Sequence, residues 1–212
     1  LHQASSRVAR LSDELDTLFA DLLATQEQSS ASLPPVHLWK PQLSGDMDML
    51  IDREGRWIHE GGEIKRPAMV KLFASILVYE KGDYFLITPV EKWRIKVEVA
   101  PLFVIAAERE TRDGYQAIKL TTLTGDVVIV DSQHPLSMQS SRGSDEPLPL
   151  VVIRRNLQAL LSRNVFYQIV EWAAEGESTS NQSAGESKSK RIDKSHELSI
   201  SSMGERFVLG SF

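Results

Sequence analysis

The chain has 212 residues, 42% of them hydrophobic and 25% charged, with a formal net charge of −5. This balance is typical of a globular protein with one ordinary domain or two small ones. The acidic charge argues against broad nucleic-acid binding, and the absence of cysteine excludes disulfides, thiol catalysis and thiolate metal sites. No apolar run approaches the roughly 20 residues that span a bilayer, so we expect a cytoplasmic protein that does not bind membranes.

An amphipathic helix and a linker are predicted over residues 1–33. Apolar residues recur there at helical spacing with charged residues between them: Val8, Leu11, Leu15, Leu18, Phe19, Leu22 and Leu23. The pattern ends in QEQSSASLPP, where Ser and Pro break it. A signal peptide would show an apolar stretch instead, which is why the cytosol is the default expectation.

Residues 34–101 are predicted to form a first α+β half. The alternation DMDMLID over residues 46–52 indicates a strand with its aspartates away from the core, and Gly55 turns the chain back into a hairpin. Pro67 then stands in the first turn of a helix whose buried stripe extends to Leu77. Two further strands follow, the second in the alternating stretch WRIKVEV.

Residues 102–174 are predicted to form a second half. Strand patterns run through residues 102–109, 115–123 and 126–130. The stretch SQHPLSMQSSRGSDEPLP is interpreted as a polar loop, and a last strand and a helix with an apolar side from Leu157 follow it. Residues 175–212 are too polar to fold alone, and we expect a flexible tail in which RFVLGSF could add an edge strand.

A short pattern occurs twice. Ile64-Lys65-Arg66 and Ile153-Arg154-Arg155 each precede a predicted helix and follow strands with a Gly turn, at Gly55 and at Gly125. The repetition indicates either a duplicated strands-then-helix unit or chance. Like charges about 4 Å apart repel by about 4 kcal/mol near a protein surface, so a basic cluster here would need acidic neighbours or a bound anion.

Other motifs do not define a reaction. The adjacent glycines before Pro67 lack the spacing of a phosphate-binding loop, and a turn that begins a helix explains them better. Asp46 and Asp48 could share a face of a strand about 7 Å apart, which would allow a metal site if other ligands converged. A solvated acidic face explains the pair equally well. The five histidines are not at zinc-site spacing, and no metal ion or cofactor is expected.

Several ordered motifs resemble one bacterial family, known as domain of unknown function 1285. They are H-x-W-x-P, G-D-x-D-M, W-x-x-x-G-x-x-I-x-R, L-x-T-P-V-E-K and R-x-x-L-x-A-L, between about Pro34 and Ala173. The resemblance implies a β-rich α+β fold with a repeated motif, a second half similar to pleckstrin-homology folds, and a ligand site between the halves. It also implies a role in signal transduction, and the tail lies outside the family's usual extent. Members have no established reaction.

The first functional hypothesis is therefore a non-catalytic module that binds a small anionic ligand or a protein partner. Arg66 and Arg155 are the predicted anion partners. The other residues expected to line the groove between the halves are Lys65, Arg154, His37 and Trp39. The alternatives are a metal-assisted enzyme that acts on an anionic substrate, with Asp46, Asp48 and Glu91 as its acidic groups, or a purely structural interaction scaffold.

Overall fold

The computed structural model describes residues 33–141, 144–183 and 197–211. They form a β-rich protein that divides into two compact units. The first unit takes in the described residues up to Leu50 and Trp57–Lys96, and the second takes in Ile51–Arg56 and the described residues from Val97 onward. Each unit has one six-stranded sheet, which fits two β-rich halves. The predicted N-terminal amphipathic helix, from Val8 to Leu23, lies outside the described residues.

The first sheet has the strand order β3-β2-β1-β6-β5-β4. Its strands are β1 (Gly45–Ile51), β2 (Trp57–His59), β3 (Gly62–Glu63), β4 (Leu77–Glu80), β5 (Asp83–Ile87) and β6 (Lys92–Val97). Helix α1 (Pro67–Ser75) lies between β3 and β4 in the chain, and a short 3-10 helix (Val36–Leu38) precedes β1. The predicted hairpin of β1 and β2 is confirmed.

The core of the first unit follows the alternation in β1. Met47 and Met49 are buried, as the two-residue period predicts. Trp57, at the start of β2, is also buried and stacks on Phe73 of helix α1 with ring centroids 6.1 Å apart. This aromatic pair therefore joins the sheet to the helix.

Helix α1 is shorter than the sequence predicted. It ends at Ser75, and Leu77 begins β4, which pairs antiparallel with β5 through Leu77 and Leu86. The apolar residues at the end of the helix also fit a buried strand, so helical spacing alone gave the wrong element. Lys81 (φ 52°) and Gly82 (φ 96°) form the two-residue turn between β4 and β5, where both residues need positive φ.

The second sheet has the strand order β10-β11-β12-β7-β8-β9. Its strands are β7 (Leu102–Arg112), β8 (Tyr115–Thr122), β9 (Val127–Ile129), β10 (Leu136–Ser141), β11 (Ser144–Arg154) and β12 (Leu157–Leu161). Helix α2 (Arg163–Ser183) follows the sheet, and β13 (Glu197–Ser202) and β14 (Glu205–Ser211) form a separate hairpin. Among the described residues, neither α-helix is long and apolar enough to cross a membrane.

Two predicted elements of the second half are wrong. The expected polar loop contains β10 and most of β11, which pair antiparallel. The expected helix from Leu157 begins only at Arg163, because the preceding residues form β12, with Leu157, Ala159 and Leu161 buried at alternate positions. Strand β12 runs parallel to β7, and this pairing between distant parts of the chain leaves no local pattern in the sequence.

The expected flexible tail is also wrong over residues 175–183 and 197–211, and its remaining internal part, 184–196, lies outside the described residues. Helix α2 continues to Ser183, and β13 and β14 pair with each other. The hairpin is attached to β8, since the Ile118 N–H donates to the Ser202 hydroxyl at 3.0 Å and the Met203 N–H donates to the Gln116 carbonyl at 2.8 Å. The edge strand in RFVLGSF is therefore real, as β14 of a two-stranded sheet.

The internal repeat is found in the turns and not in the basic pairs. In the β1–β2 turn, the Asp52 N–H donates to the Arg56 carbonyl at 3.1 Å; in the β8–β9 turn, the Thr122 N–H donates to the Asp126 carbonyl at 2.9 Å. In each turn the glycine N–H also donates to the carbonyl of the first residue at 3.0 Å, from Gly55 to Asp52 and from Gly125 to Thr122. The two basic pairs do not correspond, because Ile64-Lys65-Arg66 leads into α1 whereas Ile153-Arg154-Arg155 leads into β12.

Candidate functional site

Lys65 and Arg66 lie at the start of helix α1 and are exposed. Arg66 is the N-cap residue in an extended conformation, and its side chain makes no capping hydrogen bond. Its carbonyl accepts the N–H groups of Met69 and Val70, both at 3.1 Å. Because Pro67 has no N–H, the first turn offers an anion only the N–H of Ala68, which has no partner among the described residues.

Arg154, which belongs to the second predicted basic pair, forms an ion pair with an aspartate of the same unit. Its Nη1 donates to Oδ1 of Asp126, and both side chains are largely buried, with exposed fractions of 11% and 16%. The other carboxylate oxygen accepts the hydroxyls of Thr122 at 3.1 Å and Thr124 at 2.8 Å. Arg154 therefore ties the end of β11 to the β8–β9 turn, and a structural role accounts for its charge.

Arg155 follows in the tight turn between β11 and β12, with a φ of 53°. Partial burial lowers the pKa of its guanidinium, and the neighbouring positive charge of Arg154 lowers it further. Both effects make an anionic neighbour favourable at this position.

His37 and Trp39 belong to the first unit, beside the 3-10 helix. His37 is exposed and Trp39 is half-buried. Within the described residues, no hydrogen bond or ion pair joins either of them to Lys65 or Arg66. The six predicted site residues are thus divided, with four in the first unit and two in the second.

The acidic residues of the enzyme alternative do not converge. Asp46 forms an ion pair with Arg94 at 3.3 Å, and Asp48 is exposed on the same side of β1. Glu91 accepts a long hydrogen bond from Trp93 Nε1 at 3.4 Å, in a separate turn. Throughout the described part of the chain, no group of three or more His, Asp or Glu residues could hold a metal ion.

The sequence did not predict an apolar surface on the outer side of the second sheet. Its members are Ile105, Leu123 and Val127, with exposed fractions of 49%, 50% and 58%; we call them the outer apolar patch. Thr121 pairs with Ala106 on one side and with Val127 on the other. The patch therefore takes one residue from β7 (Ile105), one from the turn between β8 and β9 (Leu123) and one from β9 (Val127).

A β-bulge in β7 produces the exposure of Ile105. The register shifts between Val104 and Ala106, so Ile105 is the extra residue. The backbone of Leu123 is fixed next to Phe103, two residues before Ile105, because the Leu123 N–H donates to the Phe103 carbonyl at 2.8 Å. A signal was present in the sequence, since VIAA breaks the two-residue alternation at this point of the strand.

Polar groups border the patch. At one end Lys119 and Glu108, which face each other across β7 and β8, form an ion pair at 2.7 Å. That bond raises the pKa of Lys119. At the other end the turn of residues 52–56 covers Phe103, where a Cβ on Gly55 would lie 2.6 Å from the Phe103 Cβ. An apolar centre with a polar rim is the usual composition of a protein interface.

These features define a β-rich protein of two sheet-based units, in which the described residues contain no metal-ligand cluster. The models of the N-terminal and C-terminal domains of DUF1285, a domain of unknown function, match residues 34–100 and 101–209. The chain therefore belongs to the DUF1285 family. The C-terminal match includes β13 and most of β14, so the expectation that the tail lies outside the family is wrong.

Two solved structures are similar to the chain. A DUF1285 family protein from Silicibacter pomeroyi DSS-3 has 34% sequence identity and a TM-score of 0.71, and the match covers 90% of this chain and 94% of that one. A DUF1285 family protein from Shewanella baltica OS155 has 30% identity and a TM-score of 0.46, with 59% and 91% covered. No curated protein is significantly similar to the chain.

Proposed function

We propose that the chain is a non-catalytic protein-binding module that contacts its partner through the outer apolar patch. The proposal rests on the exposure of three apolar side chains, each about half exposed: Ile105 in β7, Leu123 in the turn between β8 and β9, and Val127 in β9. Single exposed apolar residues are ordinary on protein surfaces, whereas contiguous ones mark interaction sites. The ion pair of Lys119 and Glu108 supplies a polar rim, which adds specificity more than affinity.

Site-specific photo-crosslinking in the native host tests this proposal. A photoreactive amino acid at Leu123 should give a discrete adduct with a protein, identified by mass spectrometry. The matched control places the same amino acid at Tyr167 of helix α2, which is 62% exposed. No adduct at position 123, or the same adducts at both positions, would refute the assignment.

Binding of an anionic ligand is a second proposal, favoured by the exposed Lys65 and Arg66 beside the uncapped start of helix α1. A ligand at 100 times its Kd should stabilise the protein by about 2.7 kcal/mol in a thermal-shift screen with nucleotides and phosphorylated metabolites. Arg66→Ala should abolish that shift, and Lys71→Ala is the control because Lys71 is exposed later in the same helix. A shift that is equal in both variants contradicts the site.

His37 and Trp39, which belong to the same unit, are candidates for this ligand from the sequence alone. Arg155 of the second unit is proposed as a separate anion contact, and alanine variants of all three residues belong in the screen. A role in signal transduction, which the family resemblance implies, is a proposal that identification of the crosslinked partner would test. The likeness of the second unit to pleckstrin-homology folds is also a proposal, supported by the mainly antiparallel sheet that precedes helix α2.

A further inference from the structure

Strand β9 is an edge strand whose outer backbone groups are open. The carbonyl of Asp126 accepts a hydrogen bond from β8 and the N–H of Val130 donates one to it, both at 2.9 Å. Backbone bonding alternates along an antiparallel strand, so Val128 also bonds towards β8. Val127 and Ile129 therefore turn their N–H and C=O groups to the open edge, where neither has a partner among the described residues.

The spacing of these two residues makes the edge self-complementary. If a second β9 approaches antiparallel, with a two-fold axis through Val128, Val127 of each copy lies opposite Ile129 of the other. Directly opposed residues of this kind exchange both N–H···O=C bonds, so all the open groups of both edges are satisfied. Closed two-fold pairs are the commonest homo-oligomers.

The charges near β9 permit this approach. A two-fold axis brings identical groups together, and like charges directly opposed across two strands are destabilising. Strand β9 carries no charged residue, and the flanking Asp126 is bonded to Arg154 within the chain. Lys119, which pairs with Ile129 across β8 and β9, is neutralised by Glu108. The Lys or Pro that commonly protects an edge strand is also absent from β9.

These observations point to a second copy of this chain as the occupant of the β9 edge: we propose that two copies pair antiparallel through Val127–Ile129 and join their sheets. This inference rests on the proposed function, because it names the partner of the surface that includes Val127. It also joins the two outer apolar patches into one larger surface. With only three residues on each edge, the association is expected to be weak and concentration-dependent.

Sedimentation equilibrium of the full chain, from about 10 μM to 1 mM, tests the pairing. The variants place charged side chains at positions 127 and 129, which face each other across the proposed interface. The wild type should shift from the mass of one chain to that of two. Val127→Glu should weaken the association at least about tenfold, because each copy loses an apolar contact at the axis. The double variant Val127→Glu/Ile129→Lys should restore it, since each Glu then faces a Lys of the other copy.

The matched control is Val127→Lys/Ile129→Lys, which places like charges opposite each other and should remain monomeric. A wild type that is monomeric at 1 mM overturns the inference, as does a dimer that Val127→Glu leaves unchanged. Failure here is distinguishable from failure of the proposed function. A monomer that still forms an adduct with another protein at position 123 keeps the binding module and rejects only self-pairing.

Discussion

Replacement of Gly55 by alanine probes the close packing of the β1–β2 turn in the second unit. Gly55 has a φ of 77°, in the left-handed region, and is buried. A Cβ there would lie 2.6 Å from the Cβ of Phe103, whereas carbon atoms pack best at about 3.5–4.0 Å. The overlap of about 1 Å is with an atom fixed to the backbone of β7, which a change of rotamer does not relieve.

The expected cost has two parts. A side chain in the left-handed region costs about 1–2 kcal/mol, and forced overpacking costs about 1–3 kcal/mol more. Gly55→Ala should therefore lower the free energy of unfolding by about 2–5 kcal/mol. Gly114→Ala is the matched control, because Gly114 has a φ of 83° and an added Cβ would meet nothing within 4 Å. Gly114→Ala should lose only the about 1–2 kcal/mol that a side chain costs in the left-handed region.

Urea denaturation followed by tryptophan fluorescence gives both values. The loss of unfolded-state entropy on replacing glycine is common to the two variants, so the difference between them isolates the contact with Phe103. We expect Gly55→Ala to be less stable than Gly114→Ala by about 1–3 kcal/mol at an unchanged m-value. Equal losses of stability would refute the packing argument.

Three further predictions concern titratable groups. Asp126→Asn should destabilise the protein by about 3 kcal/mol in urea denaturation, because Arg154 would be left largely buried without its anion; a loss below about 0.5 kcal/mol would show that the ion pair is unimportant. Burial raises the pKa of Tyr84 to about 12, so its contribution to stability is full below pH 10 and lost as the pH rises towards 12. When the tyrosines are titrated with base and followed by absorbance at 295 nm, the phenol that ionises at the highest pH should be missing in Tyr84→Phe. Burial by itself would raise the pKa of Asp52, but hydrogen bonds from Arg56 lower it overall. The ionised Asp52 carboxylate therefore stabilises the folded protein above about pH 4, and this stabilisation is lost below that pH. The difference in unfolding free energy between wild type and Asp52→Asn should shrink as the solution is acidified.

Sequence periodicity predicted the elements whose pattern is local. The alternation of Met47 and Met49 with acidic residues gave β1, and its hairpin with β2 followed from the glycine turn. Periodicity failed where a strand is buried by distant partners. Leu157 and Leu161 fit one side of a helix as well as one face of a strand, and only the parallel pairing with β7 decides between them.

Side-chain pairing was the least predictable feature of the candidate site. Arg154 and Asp126 are 28 residues apart and meet because β11 ends beside the β8–β9 turn. The sequence indicated that a basic cluster would need acidic neighbours or a bound anion, but it could not identify which acid pairs with which base. The exposure of Ile105 depends on a bulge, and a one-residue shift of register has only a weak signal in a single sequence.

The two equivalent turns explain why Arg154 is a structural residue. Each turn has a carboxylate that an arginine neutralises, but the positions differ. In the first, Asp52 at position one accepts from Arg56 at position five, with Oδ2 2.6 Å from Nη2. In the second, Thr122 replaces that carboxylate, and Asp126 at position five carries the acid instead.

The second turn therefore lacks an arginine of its own, and Arg154 supplies the missing charge from β11. A buried acid without a partner costs several kcal/mol. In the second turn the acid occupies position five, where the first turn has its arginine, so the cation has to come from elsewhere in the unit. Arg154 therefore serves the folding of the second unit, whereas Lys65 and Arg66 are exposed. The anionic-ligand proposal at Lys65 and Arg66 consequently concerns the first unit, whereas the partner-binding proposal concerns the second.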